Sequence, residues 1–291
     1  MSERLAVTKT HKLWVGGQFP RSESGRTLEV CDRKGNSLGL VAHASRKDLR
    51  DAVTAAAEAR EAWAEESAYL RGQILYRMAE MLEGRGEEFA QLLAATVPGG
   101  IRRARRETTR SVDRLVSFAG WADKFSQVLG NQNPVAAPFY NFTVPEPVGI
   151  VGVVAPDDEP LLGLISLAAP ALCAGNVVVA LGSQAHPLAT AVLGEVAAVS
   201  DFPAGALNLL TGRRAELLGV LAGYRSVDGI HAAGCSPDEK QTLELGAAEN
   251  LKRVSAHAAD THDWYDDRSC QSPYSIEPFV NYKTLWHPRA S

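Results

Sequence analysis

From Val148 onward the chain repeats one rhythm four times: a short apolar run, then a longer amphipathic segment. The runs at residues 150–155, 177–180, 207–210 and 229–232 are apolar at nearly every position. Half-exposed strands alternate with period two, so continuous apolar runs predict strands buried on both faces. The predicted fold class is therefore α/β, a doubly wound parallel sheet with helices on each side. The helices centre near Leu164, Val192, Leu218 and Leu245, and a last strand begins at Arg253. In such a sheet ligands sit at the carboxyl ends of the strands.

The first half has a different texture. Residues 11–44 read as short strands and turns, punctuated at Gly16-Gly17 and around Asn36. Three amphipathic helices are predicted next. Ser45 with Asp48 three residues on is a capping signal, and Leu49, Val53, Ala56 and Trp63 then fall at helical spacing. Ile74, Leu75, Met78 and Leu82 repeat the pattern until Gly84 and Gly86 interrupt it. Val112, Leu115, Val116, Ala119, Ala122 and Phe125 carry the third helix, which stops near Gly130. Residues 131–145 hold three prolines, and the alternation between Phe139 and Val144 suits a projecting hairpin. Residues 279–286, Phe279 to Trp286, alternate in the same way. The polar stretch 260–272 between the sheet and that strand reads as a loop or linker. His231 is expected to be a buried strand histidine, and Trp63 and Trp121 core residues.

Charge and cysteine usage narrow the function classes. Thirty basic against 34 acidic residues leave a net charge of −4, which gives no field for nucleic acid. The basic run at residues 102–106 reads as a solvated helix face. No stretch approaches the roughly 20 apolar residues of a membrane span, and residues 1–12 lack the apolar core of a secretory leader, so a cytoplasmic location is expected. Cys31, Cys173, Cys235 and Cys270 are scattered without metal-type pairing and read as reduced thiols. His257, Asp260, His262, Asp263 and Asp266 are residue types that could coordinate a metal, but their spacing matches no standard site, and no metal is expected.

A series of segments in matching order resembles the aldehyde dehydrogenase superfamily. They are the opening Leu13-Trp14-Val15-Gly16-Gly17-Gln18-Phe19, the helix stretch Phe118-Ala119-Gly120-Trp121-Ala122-Asp123-Lys124, and the sheet-leading Glu146-Pro147-Val148-Gly149-Ile150-Val151-Gly152. The helix end Ala168-Ala169-Pro170-Ala171-Leu172-Cys173-Ala174-Gly175-Asn176 and the terminal Tyr282-Lys283-Thr284-Leu285-Trp286 extend the series. The resemblance implies a coenzyme-binding domain over residues 1–130 and 147–262, an oligomerisation hairpin and terminal strand over 131–146 and 275–291, and a linker at 263–274 replacing the catalytic domain.

At the functional positions the resemblance fails residue by residue. Asp158 stands where the family has an oxyanion-holding Asn, and a carboxylate there repels the charge it should stabilise. Leu181 and Gln184 replace the Lys and Glu that hold the adenosine ribose, a loss of about 1.5–3 kcal/mol per charge-assisted contact. Gly234 and Cys235 stand in the turn after the fourth strand. Gly234 still permits close backbone approach, and Ser236 and Asp238 can cap the next helix. His257 falls at the general base. Cys270 is the nucleophile candidate, but among nearby aspartates it reads better as a free surface thiol.

The pattern is closest to the degenerate second module of the two-module aldehyde dehydrogenases, family sixteen. It implies a non-catalytic assembly module with no catalytic and no cofactor-binding residues. Its expected partner is itself, as a homodimer, or an enzyme module, through residues 139–144 and 279–286, with no nucleic acid or membrane partner. Two alternatives stand beside it. One is an NAD-dependent dehydrogenase whose catalytic domain comes from a partner, and the other a weak nucleotide-binding module.

Overall fold

A computed structural model describes residues 7–258 and 262–289. Three short strands, β1 (Thr10–His11), β2 (Thr27–Cys31) and β3 (Ser37–Ala42), form a small outer sheet in the order β1-β3-β2. Helix α1 (Arg46–Glu65) starts at the predicted cap: the Ser45 side chain accepts from the Lys47 and Asp48 amides while Asp48 accepts from the Ser45 amide. Its apolar stripe, ending at a fully buried Trp63, faces the central sheet.

The next segment holds more helices than the pattern predicts. After α2 (Ala68–Gly84) comes α3 (Gly86–Thr96), then α4 (Gly100–Trp121) and the short α5 (Phe125–Leu129). Gly84 and Gly86 mark a change of direction between two helices, and Phe89, Ala90 and Leu93 bury the stripe of α3. Gly99 and Gly100 both take positive φ, at 113° and 73°, turning the chain into α4. Trp121 is only half-buried, and its indole N–H donates to the Gln271 carbonyl at 2.9 Å.

Strands β4 (Asn131–Asn133) and β5 (Phe139–Pro147) then lead into the central sheet. That sheet is made of β6 (Ile150–Val154), β7 (Val177–Leu181), β8 (Leu207–Leu210), β9 (Gly229–Ala233) and β10 (Arg253–His257). All its pairings are parallel, in the order β10-β9-β6-β7-β8. Between the strands run α6 (Pro160–Cys173), α7 (Pro187–Ala197), α8 (Arg214–Gly223) and α9 (Pro237–Ala248). Alternate residues face opposite layers. Val151, Val153, Val178 and Ala180 pack with α2, α3, α4, α6 and α7, while Ile150, Val154, Val177 and Val179 pack with α1 and α8. Helix α6 is buried at every position, because the sheet lies on one side and α4 on the other.

After β10 the chain does not hang free. Helix α10 (Asp267–Cys270) packs down with Trp264 and Cys270 buried, so residues 263–274 form a folded cover and not an open linker. The last strand, β11 (Val280–Pro288), begins one residue after the predicted start. Phe279 itself is fully buried in the core, 4.7 Å from the His231 ring. Asn176 fixes this junction: its side chain donates to the Ala171 and Phe279 carbonyls and accepts from the Gly149 amide. Beyond it β11 pairs antiparallel with β5, from Val280 opposite Pro147 to Pro288 opposite Phe139, in the order β11-β5-β4. Tyr140, Phe142, Tyr282, Leu285 and Trp286 of this projecting sheet are exposed.

Candidate functional site

The strand order reverses between β6 and β9, so a ligand crevice is expected where those strands end. The turns there are residues 156–159 and 234–236. Gly234 takes φ +63°, and a Cβ on it would stand 3.2 Å from the Pro156 side chain. The two turns therefore touch.

An arginine closes what room is left. Arg214, the first residue of α8, is 3% exposed and lays its guanidinium across the strand ends. One nitrogen donates to the Gly234 carbonyl at 2.9 Å and the other to the Ala155 carbonyl. Asp157 and Glu239 carboxylates flank it at 3.9 and 3.7 Å. Asp157 also accepts from the Ser183 hydroxyl at 2.6 Å and the Ala185 amide at 3.2 Å. Leu181 is buried at the end of β7, and Gln184 is exposed, its side-chain oxygen accepting from the Arg214 amide at 3.2 Å.

The start of α9 is occupied by its own side chains. Ser236 accepts from the Glu239 amide, and Glu239, not Asp238, accepts from the Ser236 amide. Those amides are the donors an incoming pyrophosphate would need. Arg214 thus lies across the crevice, and the helix end is capped by its own side chains. Cys235 is half-buried, and desolvation pushes its thiol upward.

Asp158, at the oxyanion position, is exposed, and its carbonyl accepts from Arg103. The stronger acid chemistry lies one residue on. Arg103 ion-pairs with Glu159 at 2.9 Å, and the Tyr265 hydroxyl donates to the other oxygen of Glu159 at 2.9 Å. Arg106 stacks on the Tyr265 ring at 3.8 Å and Arg105 pairs with Glu87 of α3 at 2.9 Å, so three members of the basic run serve the tertiary fold. Beneath them Glu107 accepts from the Leu161 and Leu162 amides at the start of α6 with one oxygen, while its other oxygen has no hydrogen-bond partner among the described residues. Burial, and then the neighbouring Glu159, push its carboxyl up to about 8. Glu107, Ser111 and Arg114 sit at helical spacing on the buried face of α4. Charged residues repeating on an apolar stripe were the sequence signal for this cluster.

The other site residues meet at a second place, a cavity of about 600 Å³ between β9, β10 and α10. His231 is buried as expected, and its Nε2 lies 3.0 Å from Nε2 of His257. The His257 ring lies 4.4 Å from that of His262, tilted by 40°, and His262 packs edge-on against Trp264 at 4.2 Å. Desolvation, reinforced by the neighbouring imidazoles, pushes His231 down to about 3 and His257 to about 4, and desolvation with the Arg114 charge lowers His262. Cys270, expected at the surface, is 6% exposed, with its sulfur 3.4 Å from Nε2 of His262. Among the described residues no group of three or more His, Cys, Asp or Glu is placed to hold a metal ion, and Asp260 lies outside them. No helix among those residues is long and apolar enough to cross a membrane.

A five-stranded doubly wound sheet whose strand order reverses over a glycine turn defines an α/β domain of the dinucleotide-binding kind. The chain belongs to the aldehyde dehydrogenase family, whose model matches residues 19–259. It is 32% identical over 260 residues to cytosolic 10-formyltetrahydrofolate dehydrogenase of Xenopus laevis, covering 86% of this chain and 28% of that protein. To retinal dehydrogenase 2 of Mus musculus it is 30% identical over 263 residues, covering 85% and 48%. The NAD+ complex structure of aldehyde dehydrogenase from Bacillus cereus superposes with a TM-score of 0.81 at 26% identity, over 86% of this chain and 51% of that one. The chain thus spans about half the length, or less, of the relatives it matches.

Proposed function

We propose that the chain is a non-catalytic aldehyde dehydrogenase-like module that acts through assembly, akin to the degenerate second module of the two-module enzymes. The observation that carries this reading is Arg214, whose guanidinium lies across the crevice with both terminal nitrogens donating to backbone carbonyls. Asp158 at the oxyanion position and His257 at the base position support it. The working surface is the projecting sheet. Along β11 the outer backbone edge has no strand partner among the described residues, and Tyr282, Leu285 and Trp286 are exposed on it. An open edge of this kind pairs with another strand, and a homodimer or an enzyme module of the same family is the partner it suits.

The alternative of NAD binding is favoured by one finding, that similar chains have been solved with NAD+ bound. Titration of the purified chain with NAD and NADP by calorimetry, beside an aldehyde oxidation assay, separates the two. The assembly reading expects no heat at millimolar coenzyme and no NADH. A micromolar dissociation constant overturns it.

A further inference from the structure

The 600 Å³ cavity holds chemistry that the assembly reading does not use. The Cys270 thiol sits against His262 at 3.4 Å, and the same wall carries Arg114. The Arg114 side chain is fully buried. Its terminal nitrogens donate to the Ser166 hydroxyl at 2.6 Å and the Trp264 carbonyl at 2.9 Å, and its Nε–H has no partner among the described residues. The Asp267 carboxylate is 3.8 Å away and already bonded to Arg110 at 2.7 Å. A buried guanidinium with neutral acceptors and one free donor is an incomplete arrangement, which an anion in the cavity would complete. Arg114 also lies within electrostatic reach of the Cys270 sulfur. Burial, and after it the Arg114 charge, lower His262, so its ring is neutral near pH 7.

We propose that this cavity is a covalent capture site for small α,β-unsaturated carbonyl compounds, with Cys270 as nucleophile, His262 as proton carrier and Arg114 as the cation for the developing oxyanion. The thiol proton passes to Nε2 of His262. The sulfur bonds to the β-carbon of the acceptor, and the alkene pair moves to give an enolate whose oxygen faces Arg114. The proton then moves from His262 to the α-carbon. Thiol and alkene become a thioether, with nothing oxidised and nothing lost, so the step needs neither coenzyme nor a second domain. A thiolate beside a cation and an imidazole is the general setting of reactive cysteines.

The four cysteines supply their own controls: Cys31 is exposed and Cys173 lies in the core. The intact chain is treated at pH 7 with limiting N-ethylmaleimide, a conjugate acceptor, or with iodoacetamide, an alkylating agent that forms no enolate. Labelling at each cysteine is followed by peptide mass spectrometry. Cys270 should react with the maleimide at least about tenfold faster than Cys31 despite its burial, and this preference should shrink with iodoacetamide. His262→Asn should slow Cys270 about tenfold, leave Cys31 unchanged and keep Cys173 unlabelled. Labelling of Cys173 would mark that variant as unfolded, and the wild-type ratio then decides. A Cys270 rate at or below that of Cys31, an equal preference with both reagents, or a folded His262→Asn with unchanged Cys270 reactivity overturns the proposal.

Discussion

His231 and His257 meet nitrogen to nitrogen, 3.0 Å apart, across the last two strands of the sheet. The Leu167 carbonyl, 2.9 Å from Nδ1 of His231, can only accept, so that nitrogen carries the proton. Nε2 of His231 is then the acceptor and Nε2–H of His257 the donor. A further proton on His231 would set two N–H groups against each other.

This pair gives the fold a pH limit. Both histidines are depressed from 6.5, to about 3 and about 4, so below pH 6.5 the unfolded chain takes up protons that the folded chain refuses. Stability is complete above that value and falls as the pH drops toward 4, by roughly 1 kcal/mol per pH unit for the fully buried His231. Urea unfolding of wild type and His257→Gln between pH 7 and pH 4 checks this. The variant keeps an amide N–H for His231 and should lose stability less steeply.

Glu107 has the opposite sign. Its folded carboxyl is raised to about 8 from 4.5, so between those values it keeps a proton that the unfolded chain has lost, and stability falls as the pH rises. Glu107→Gln keeps an oxygen for the Leu161 and Leu162 amides and removes the charge. At pH 9 it should be more stable than wild type by on the order of 1 kcal/mol, measured by denaturant midpoint.

Arg214→Ala should destabilise the chain by roughly 1–3 kcal/mol, since the Ala155 and Gly234 carbonyls lose their buried donor. It also opens the crevice. Combined with Leu181→Lys and Gln184→Glu it should bind NAD at least about tenfold more tightly than wild type, because the arginine is gone and ribose contacts are restored. Unchanged calorimetric affinity would mean that another feature closes the site.

Phe279 separates the two roles of the C-terminal segment. Phe279→Ala should cost about 3–5 kcal/mol, because the ring is fully buried against His231. Removal of residues 276–291 should therefore unfold the chain, whereas removal of 282–291 takes only the projecting part of β11 and leaves Ile276, Phe279 and Val280 in the core. The shorter truncation should yield folded monomer by light scattering, against a dimer for the intact chain.

The elements that the sequence determined by itself are those set by neighbours a few residues apart. The cap at Ser45 and Asp48, the stripe from Leu49 to Trp63 and the apolar strands of the sheet depend on local hydrogen bonds and on transfer of apolar side chains from water, and both are written in spacing. Helix α3 is not legible in the pattern, because Gly84 and Gly86 signal a break, and a break does not say whether another helix follows. The candidate sites were legible only in part: His257 and Cys270 could be singled out as types, but not their surroundings. Arg214 reaches Ala155 from 59 positions away, Arg114 reaches Trp264 from 150, and Asn176 ties down Phe279 from 103. Whether a charged residue ends at the surface or across a crevice depends on which distant carbonyls the folded chain leaves in need of a donor, and only tertiary packing decides that.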